Sequence, residues 1–148
     1  REAIDRVGVM DDGFFMYDED VDWCVRARAR GWTLWLVPDA RVLHHGGASS
    51  GRAPSGARAR FEISESAARM RFELRRSRYR LYRKHRSGLE LLALKLATDA
   101  ALLLQSVRVG ILWLLAPSRR VAMGRLLRSN LRIVALNPFR MEIARDAG

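Results

Sequence analysis

The sequence has little that could cross-link it, since its 148 residues include a single cysteine, Cys24. One thiol excludes an internal disulfide framework and is typical of a reducing compartment. We expect Cys24 to be a buried, unreactive side chain. The sequence also lacks an initial methionine and the charged, apolar and small-residue stretches of a signal peptide. We therefore expect a fragment, or a chain whose beginning is missing.

Acidic residues are scarce outside the first part of the chain. Residues 1–39 contain nine Asp and Glu against five Arg, whereas residues 40–148 contain seven acidic residues against 22 Lys and Arg. The formal net charge is +11. This asymmetry predicts separate roles for an acidic front segment, residues 1–39, and a basic rear, residues 40–148, which should bind an anionic partner.

The first 50 residues are predicted to be α/β. A short helix should end at Gly8, and a second should run from Asp18 or Glu19 to Arg30, capped by an Asp whose negative charge suits the helix N-terminus. The expected apolar stripe of the second helix is Val21, Cys24 and Val25, with Arg26 and Arg30 pointing elsewhere.

Two strands are predicted to follow these helices. Residues 32–38, "WTLWLVP", carry apolar side chains on both of the alternating faces that a strand would have. They therefore predict a strand buried on both faces, with Trp35 in the core. Residues 41–45 predict a second short strand. Residues 51–60 are rich in Gly, Ser and Pro and predict a flexible loop.

Residues 61–148 are predicted to form a basic, amphipathic helical extension of about three helices. Within it, residues 89–116 are almost wholly apolar, and the spacing of Lys95 and Asp99 allows them to pair within the helix. A membrane span needs about 20 apolar residues and tolerates central charges poorly. Three readings stay open: a helix at the membrane interface, one buried in protein, and a true span.

The feature with most chemical content is "GFFMYDEDVDW", in which four carboxylates directly follow three aromatic residues. The carboxylates are Asp18, Glu19, Asp20 and Asp22. Acids at a helix start are usually caps and solvated charges. One of them, however, could serve as a general base, because a carboxylate at a helix N-terminus is kept ionised by the helix dipole.

Residues 1–50 resemble the C-terminal half of the catalytic domain of family 2 inverting glycosyltransferases, which have the GT-A fold. The closest resemblance is to bacterial rhamnosyltransferases and galactofuranosyltransferases. Their pattern, D-E-x-F-F-x-Y-x-E-D-x-D followed by a helix with Arg, a Gly, a strand ending in Pro and a His, reads here as residues 11–22, Arg26, Gly31, Pro38 and His44. Residues 76–88 more loosely resemble the juxtamembrane segment of those enzymes.

The resemblance implies a nucleotide-sugar donor, a divalent metal (Mg²⁺ or Mn²⁺), and a glycan or glycolipid acceptor of the cell wall or a polysaccharide. The general base would be Asp20, and His44 would lie near the metal or the donor diphosphate. The implied acceptor-binding residues are Tyr17, Glu19, Asp22 and Trp23. Because no Asp-x-Asp motif precedes Asp18, the Rossmann-like donor half is missing, and this chain is expected to be inactive alone.

The basic rear favours an anionic membrane surface as a partner, at the cytoplasmic face of a bacterial plasma membrane, bound peripherally or inserted shallowly. Two rival classes remain. The chain could be a non-catalytic membrane-binding module whose acids only cap a helix. It could also bind nucleic acid, but an apolar helix beside the basic one favours lipid, so we expect no nucleic acid partner.

Overall fold

The computed structural model describes residues 1–43, 63–115, 117 and 120–141. The helices are α1 (Glu2–Val7), α2 (Glu19–Ala29), α3 (Glu65–His85), α4 (Gly88–Leu115) and α5 (Arg120–Val134), followed by a short 3-10 helix at Pro138–Arg140. The predicted helical extension is therefore confirmed as three long helices. The residues predicted as a flexible loop, 51–60, lie outside the described part.

Local signals in the sequence place the starts of the long helices. Ser64 caps α3, and its Oγ accepts a hydrogen bond from the N–H of Ala67 at 3.1 Å. Before α4, Ser87 and Glu90 form a capping box: the Glu90 N–H donates to Ser87 Oγ at 3.2 Å, and the Ser87 N–H donates to Glu90 Oε2 at 2.9 Å. Each pair satisfies N–H groups that would otherwise lack acceptors in the first turn.

Helices α3, α4 and α5 pack together into one unit. Between α4 and α5, Val109, Met123 and Leu126 form a buried apolar cluster. Next to it, the buried Asn130 of α5 donates from Nδ2 to α4 at Gln105 Oε1 and Ser106 Oγ, both at 3.0 Å. Its Oδ1 accepts from Arg71 of α3 at 3.0 Å. The polar network thus ties all three helices at one point, because a buried amide is costly unless its hydrogen bonds are made.

Helix α4 turns Lys95 and Asp99 towards the protein, whereas Glu90, Arg108 and much of its apolar surface are exposed. Lys95 Nζ lies 2.5 Å from Asp99 Oδ2, as predicted, and also donates to the carbonyl of Val134 in α5 at 2.8 Å. By length and composition α4 could cross a membrane, with a mean hydropathy of 1.4 and only 17% of its most apolar window buried. Its exposed apolar residues are Leu89, Leu92, Leu96, Leu103, Leu104, Val107, Ile111, Leu114 and Leu115.

The front segment does not show the predicted α/β character, since the described residues contain no strand. The stretch predicted as a doubly buried strand is irregular and exposed, with Trp35 at 83% and Leu36 at 90% of full exposure. The prediction that Trp35 lies in the core is therefore wrong for this structure. A strand needs a second strand to take its N–H and C=O groups, and no described residues supply one.

Helix α2 forms almost where it was predicted but buries a different face. Its buried residues are Asp22, Arg26 and Ala27. The expected stripe is largely exposed, at 41% for Val21 and 37% for Val25, and Cys24 is half-buried. The prediction of an apolar stripe was wrong because the surface that α2 packs against is polar, so ion pairs replace apolar contacts there.

Candidate functional site

The segment before α2 is a loop held in an uncommon backbone conformation. Tyr17 and Asp18 have φ values of 69° and 65°, in the left-handed region that residues other than glycine rarely adopt. Such a residue costs about 1–3 kcal/mol and persists where its surroundings fix it. Here Ser77 of α3 donates from Oγ to the carbonyl of Met16 at 2.8 Å. Helix α3 thus fixes the loop one residue before the strained pair.

Asp18 occupies the N-cap position of α2 but does not cap it with its side chain. Its Oδ2 instead accepts a hydrogen bond from Nε of Arg78 in α3 at 2.9 Å, and the residue is 5% exposed. The prediction that an Asp side chain caps the helix is therefore wrong for Asp18. A left-handed backbone directs this side chain away from the helix N–H groups and towards α3.

Asp22 is the most deeply buried acid of the site, at 0% exposure. Its carboxylate lies 2.8 Å from Nε of Arg26, 3.1 Å from Nζ of Lys84 and 2.7 Å from Nε2 of His85. Burial raises the pKa of Asp22, but the hydrogen bonds from His85, Arg26 and Lys84 outweigh it, so the pKa lies below its ordinary value of 3.8. The pair with Arg26 joins two residues of α2 that lie one helical turn apart.

Asp11 forms a second ion-pair cluster, which shares Lys84 with the first. Its Oδ2 lies 3.1 Å from Lys84 Nζ, its Oδ1 lies 3.2 Å from Arg80, and the Gly13 N–H donates to Oδ1 at 2.8 Å. Burial raises the pKa of Asp11, but the Gly13 N–H, Lys84 and Arg80 together hold it below the ordinary value. Two carboxylates from the front segment thus converge on one ammonium group of α3.

Arg26 extends the network from α2 to α1. Besides Asp22, its guanidinium donates to the carbonyls of Val7 at 2.6 Å and Val9 at 2.8 Å. Trp23 adds a parallel link, because its indole N–H donates to the carbonyl of Gly8 at 2.8 Å. The chain turns at Gly8, whose φ of 84° favours glycine. Helices α1 and α2 are therefore joined mainly through polar contacts at the end of α1.

The remaining two acids at the start of α2 are placed differently. Asp20 is exposed and forms no ion pair with any described residue; its Oδ1 accepts only the N–H of Val21, at 2.8 Å. Glu19 is half-buried, and its Oε2 is enclosed without a hydrogen-bond partner in the described structure. Of the four carboxylates, Asp20 alone is both open to solvent and without a basic partner.

The predicted acceptor-binding residues differ in their exposure and in their contacts. Tyr17 is 40% exposed, and Trp23 is half-buried against Gly8. The assignment of Asp22 to the acceptor stays a prediction; in the structure its carboxylate is occupied by three basic side chains. Sequence reasoning missed Ser77 of α3, which holds the loop, and the α3 residues that bind the acids, which are Arg78, Arg80, Lys84 and His85. The available signal in the sequence was the run of basic residues in α3, but the spacing along this run does not show which basic residue meets which acid.

The predicted metal centre has no counterpart in the described residues. His44 lies outside them. Within residues 1–43, 63–115, 117 and 120–141, no group of three or more His, Cys, Asp or Glu residues could hold a metal ion. Asp18 and Asp22, the acids two residues to either side of Asp20, already bind basic side chains of α3. Neither of these two carboxylates is free for a divalent ion, and His44 lies outside the described residues, so we assign no reaction step to a metal.

A cleft of about 1170 Å³ opens beside the loop, between α3 and α5. It begins at Phe15 and Met16 and continues between the start of α3 and the end of α5. Its lining residues are Phe15, Met16, Glu65, Ser66, Ala68, Arg69, Met70, Phe72, Arg125, Arg128, Ser129, Arg132, Ala135 and Leu136. The cleft is thus both basic and apolar, and it adjoins the segment that leads to Asp20.

Part of the chain is related to a glycosyltransferase. It is 47% identical over 55 residues to N-acetylglucosaminyl-diphospho-decaprenol L-rhamnosyltransferase of Mycobacterium tuberculosis, both in strain CDC 1551 / Oshkosh and in strain ATCC 25618 / H37Rv. The matched residues are 37% of this chain and 18% of each relative. No family model matches the chain, and no solved structure matches it significantly.

Proposed function

We propose that this chain is the acceptor-side part of an inverting glycosyltransferase of family 2 and GT-A type, with Asp20 as its general base. The observation that carries the proposal is that Asp20 alone, among the four acids at the start of α2, is exposed and without a basic partner. A general base needs a free lone pair within reach of the proton it removes. Similarity to a rhamnosyltransferase over about a third of the chain supports the reaction class.

In the proposed reaction, the Asp20 carboxylate removes the proton from an acceptor hydroxyl. The hydroxyl oxygen forms a bond to the anomeric carbon of the donor sugar on the face opposite the diphosphate. The bond between that carbon and the diphosphate oxygen breaks, and the nucleoside diphosphate leaves with the electron pair. The anomeric configuration is inverted as a result, and the product is a glycoside together with protonated Asp20.

The donor and the acceptor are proposed from the relatives. Their name specifies L-rhamnose transfer to N-acetylglucosaminyl-diphospho-decaprenol. We accordingly propose a nucleotide-sugar donor and a glycolipid acceptor for this chain, acting together with a donor-binding half. A divalent metal, with His44 near it, remains part of the proposal as the resemblance implies it. Tyr17 and Glu19, which precede Asp20 by three residues and by one residue, are proposed to contact the acceptor.

The test is transfer of L-rhamnose from a nucleotide-activated donor to N-acetylglucosaminyl-diphospho-decaprenol by the full-length protein. Asp20→Asn should lower kcat by about 10²–10⁴-fold, the usual contribution of a general base, and leave folding unchanged. Asp12→Asn is the matched control, since Asp12 is exposed in the same segment and forms no ion pair with a described residue. Turnover by Asp20→Asn equal to that of the control would reject the assignment.

We further propose that α4 lies on the cytoplasmic face of a bacterial plasma membrane, with its apolar side in the interface. The support is that Lys95 and Asp99 pair on the side facing α5, while apolar residues occupy the outer side. Burying one leucine in an apolar phase contributes about 1.5–3 kcal/mol. Leu103→Glu should therefore reduce flotation with anionic liposomes strongly, whereas Leu34→Glu, an equally exposed leucine of the front segment, should not.

The second candidate, a membrane-binding module without catalysis, shares this support from α4. It predicts liposome binding with no transfer activity in the full-length protein. If Asp20→Asn keeps both its liposome binding and its full transfer activity, the result favours the membrane-binding module for this part of the chain. If Asp20→Asn keeps its liposome binding but loses its transfer activity, the result favours the enzyme.

A further inference from the structure

The cleft between α3 and α5 carries a concentrated positive charge. Four arginines line it, one from α3 and three from α5, against a single acid, Glu65, at the start of α3. None of the four forms an ion pair with a carboxylate of the described structure. Because like charges close together repel, such a group is stable only where solvent or an anion compensates it.

The three arginines of α5 share one side of the helix. Arg125, Arg128 and Arg132 are three and four residues apart, which places them along one face. Arg69 approaches from α3 and stacks over the ring of Phe15, at 5.6 Å from the centroid. Guanidinium groups from two helices therefore surround one space, an arrangement suited to phosphate oxygens.

A buried hydroxyl at the same cleft has no partner. Ser129 lies between Arg128 and Arg132 in sequence, lines the cleft and is 4% exposed. Its Oγ forms no hydrogen bond in the described structure. A serine within a helix normally donates to the carbonyl four residues earlier or to solvent. A buried donor without an acceptor is a position where a ligand oxygen would gain a hydrogen bond.

The rest of the lining is apolar. Phe15, Met70, Phe72 and Leu136 contribute aromatic and aliphatic surface beside the arginines. A free phosphate ion would gain nothing from such a surface, whereas a hydrocarbon chain attached to the phosphate would be removed from water there. The cleft thus has one part suited to a phosphate and another suited to an alkyl or prenyl chain.

We propose that this cleft binds the diphosphate of a lipid-linked acceptor together with the first part of its hydrocarbon chain. The arginines and the Ser129 hydroxyl contact the phosphate oxygens, and the aromatic side holds the chain. This inference rests on the proposed function and deepens it. The loop that supplies Phe15 and Met16 reaches Asp20 after three more residues. A sugar attached to the diphosphate would therefore extend from the cleft towards the proposed base.

The test measures binding of farnesyl diphosphate to the full chain in detergent micelles. The variant Arg125→Gln/Arg132→Gln removes two guanidinium groups that form no other polar contact in the described structure. It should weaken binding about 100-fold, or about tenfold for each charge-assisted contact. The control Arg108→Gln/Arg140→Gln removes the same charge from exposed arginines outside the cleft, and it should change the Kd by less than about twofold. Equal weakening by both variants would overturn the proposal.

Further arms identify the ligand chemistry. Inorganic pyrophosphate should bind much more weakly than farnesyl diphosphate; equal affinity would refute the role of the apolar side. Vesicles of phosphatidylglycerol should bind both double variants alike. If only the cleft variant lost vesicle binding, and by as much as it loses farnesyl diphosphate binding, the cleft would recognise anionic lipid in general. Ser129→Ala should weaken farnesyl diphosphate binding several-fold without lowering the Tm, since it removes an unpaired buried hydroxyl.

The two proposals fail in different ways. Asp20→Asn should bind farnesyl diphosphate as the unmodified chain does, whatever its turnover. Normal binding by the cleft variant would reject the cleft and leave the role of Asp20 intact. Loss of binding in the cleft variant, with full turnover in Asp20→Asn, would support the cleft and reject the base.

Discussion

Replacement of Asp22 by Asn tests whether the ion pairs with α3 hold the front segment in place. Asp22 is fully buried, and its two oxygens face Arg26, Lys84 and His85 at 2.7–3.1 Å. An asparagine fits the same volume but carries no charge and presents an N–H₂ group where one carboxylate oxygen had accepted. Asp22→Asn would therefore leave buried basic groups without compensation and turn a donor towards them.

The expected cost is large for a single substitution. Removing one partner of a buried ion pair costs about 3–5 kcal/mol, mostly because the other charge stays buried and unpaired. The unit of α3, α4 and α5 has its own apolar cluster and its own polar network around Asn130, away from Asp22. The loss should therefore appear as local opening of residues 2–29 rather than as unfolding of the whole chain.

Native-state hydrogen exchange measures this opening directly. In Asp22→Asn, amides of α2 should lose about 100-fold or more of their protection, as expected for about 3 kcal/mol, while amides of α4 and α5 should change little. The control is Asp20→Asn, the same substitution at an exposed position of the same helix turn. Protection of α2 within a few-fold of the unmodified chain would refute the view that these ion pairs hold the front segment.

Three further predictions concern the ion pairs of Asp11 and Asp22, the loop at Gly13 and the hydrogen bonds of Asn130. Because Asp11 and Asp22 have pKa values below 3.8 in the folded chain, their contribution to stability is fully present above that value and is lost as the pH falls through the folded pKa values. Protection of the α2 amides from hydrogen exchange should therefore hold from pH 7 to 5 and be lost in stronger acid. Loss of this protection near neutral pH would contradict the argument. A Cβ at Gly13 would lie 1.7 Å from a guanidinium nitrogen of Arg80, so Gly13→Ala should displace Arg80 from Asp11 and expose the loop to limited proteolysis, whereas cleavage at an unchanged rate would contradict it. Asn130→Ala should lower the free energy of unfolding of α3, α4 and α5 by about 1–3 kcal/mol in urea titrations, compared with Leu131→Ala at an exposed neighbouring position, because it removes the hydrogen bonds that join α5 to half-buried side chains of α3 and α4.

The helices could be predicted from the sequence because their signals are local. The first helix ends at Gly8, and α4 begins beside the Ser87 and Glu90 capping pair, within a few residues of the features that cause each boundary. The pairing of Lys95 with Asp99 is equally local, one helical turn apart. Properties fixed by neighbours in sequence are therefore the ones that sequence reasoning recovered.

The strand prediction failed for the opposite reason. Residues 32–38 have the apolar side chains of a strand buried on both faces, but that pattern describes only the side chains, while a strand is stabilised by hydrogen bonds to another strand. No described segment provides that partner, and Trp35 is exposed as a result. Likewise, the α3 partners of Asp18 and Asp22 lie 60 and 63 residues further along the chain, so that no local pattern showed that α3 binds these two acids and not Asp20.

The distribution of these pairs determines what Asp20 can do. A general base needs both a fixed position and an uncommitted oxygen. The position is provided by its neighbours, because Asp18 and Asp22, two residues to either side, are each bonded to α3. The uncommitted oxygen is Oδ2, since only Oδ1 accepts the N–H of Val21. The basic residues of α3 thus neutralise Asp18 and Asp22, which hold the loop, and leave Asp20, which we propose as the general base, exposed and without a basic partner.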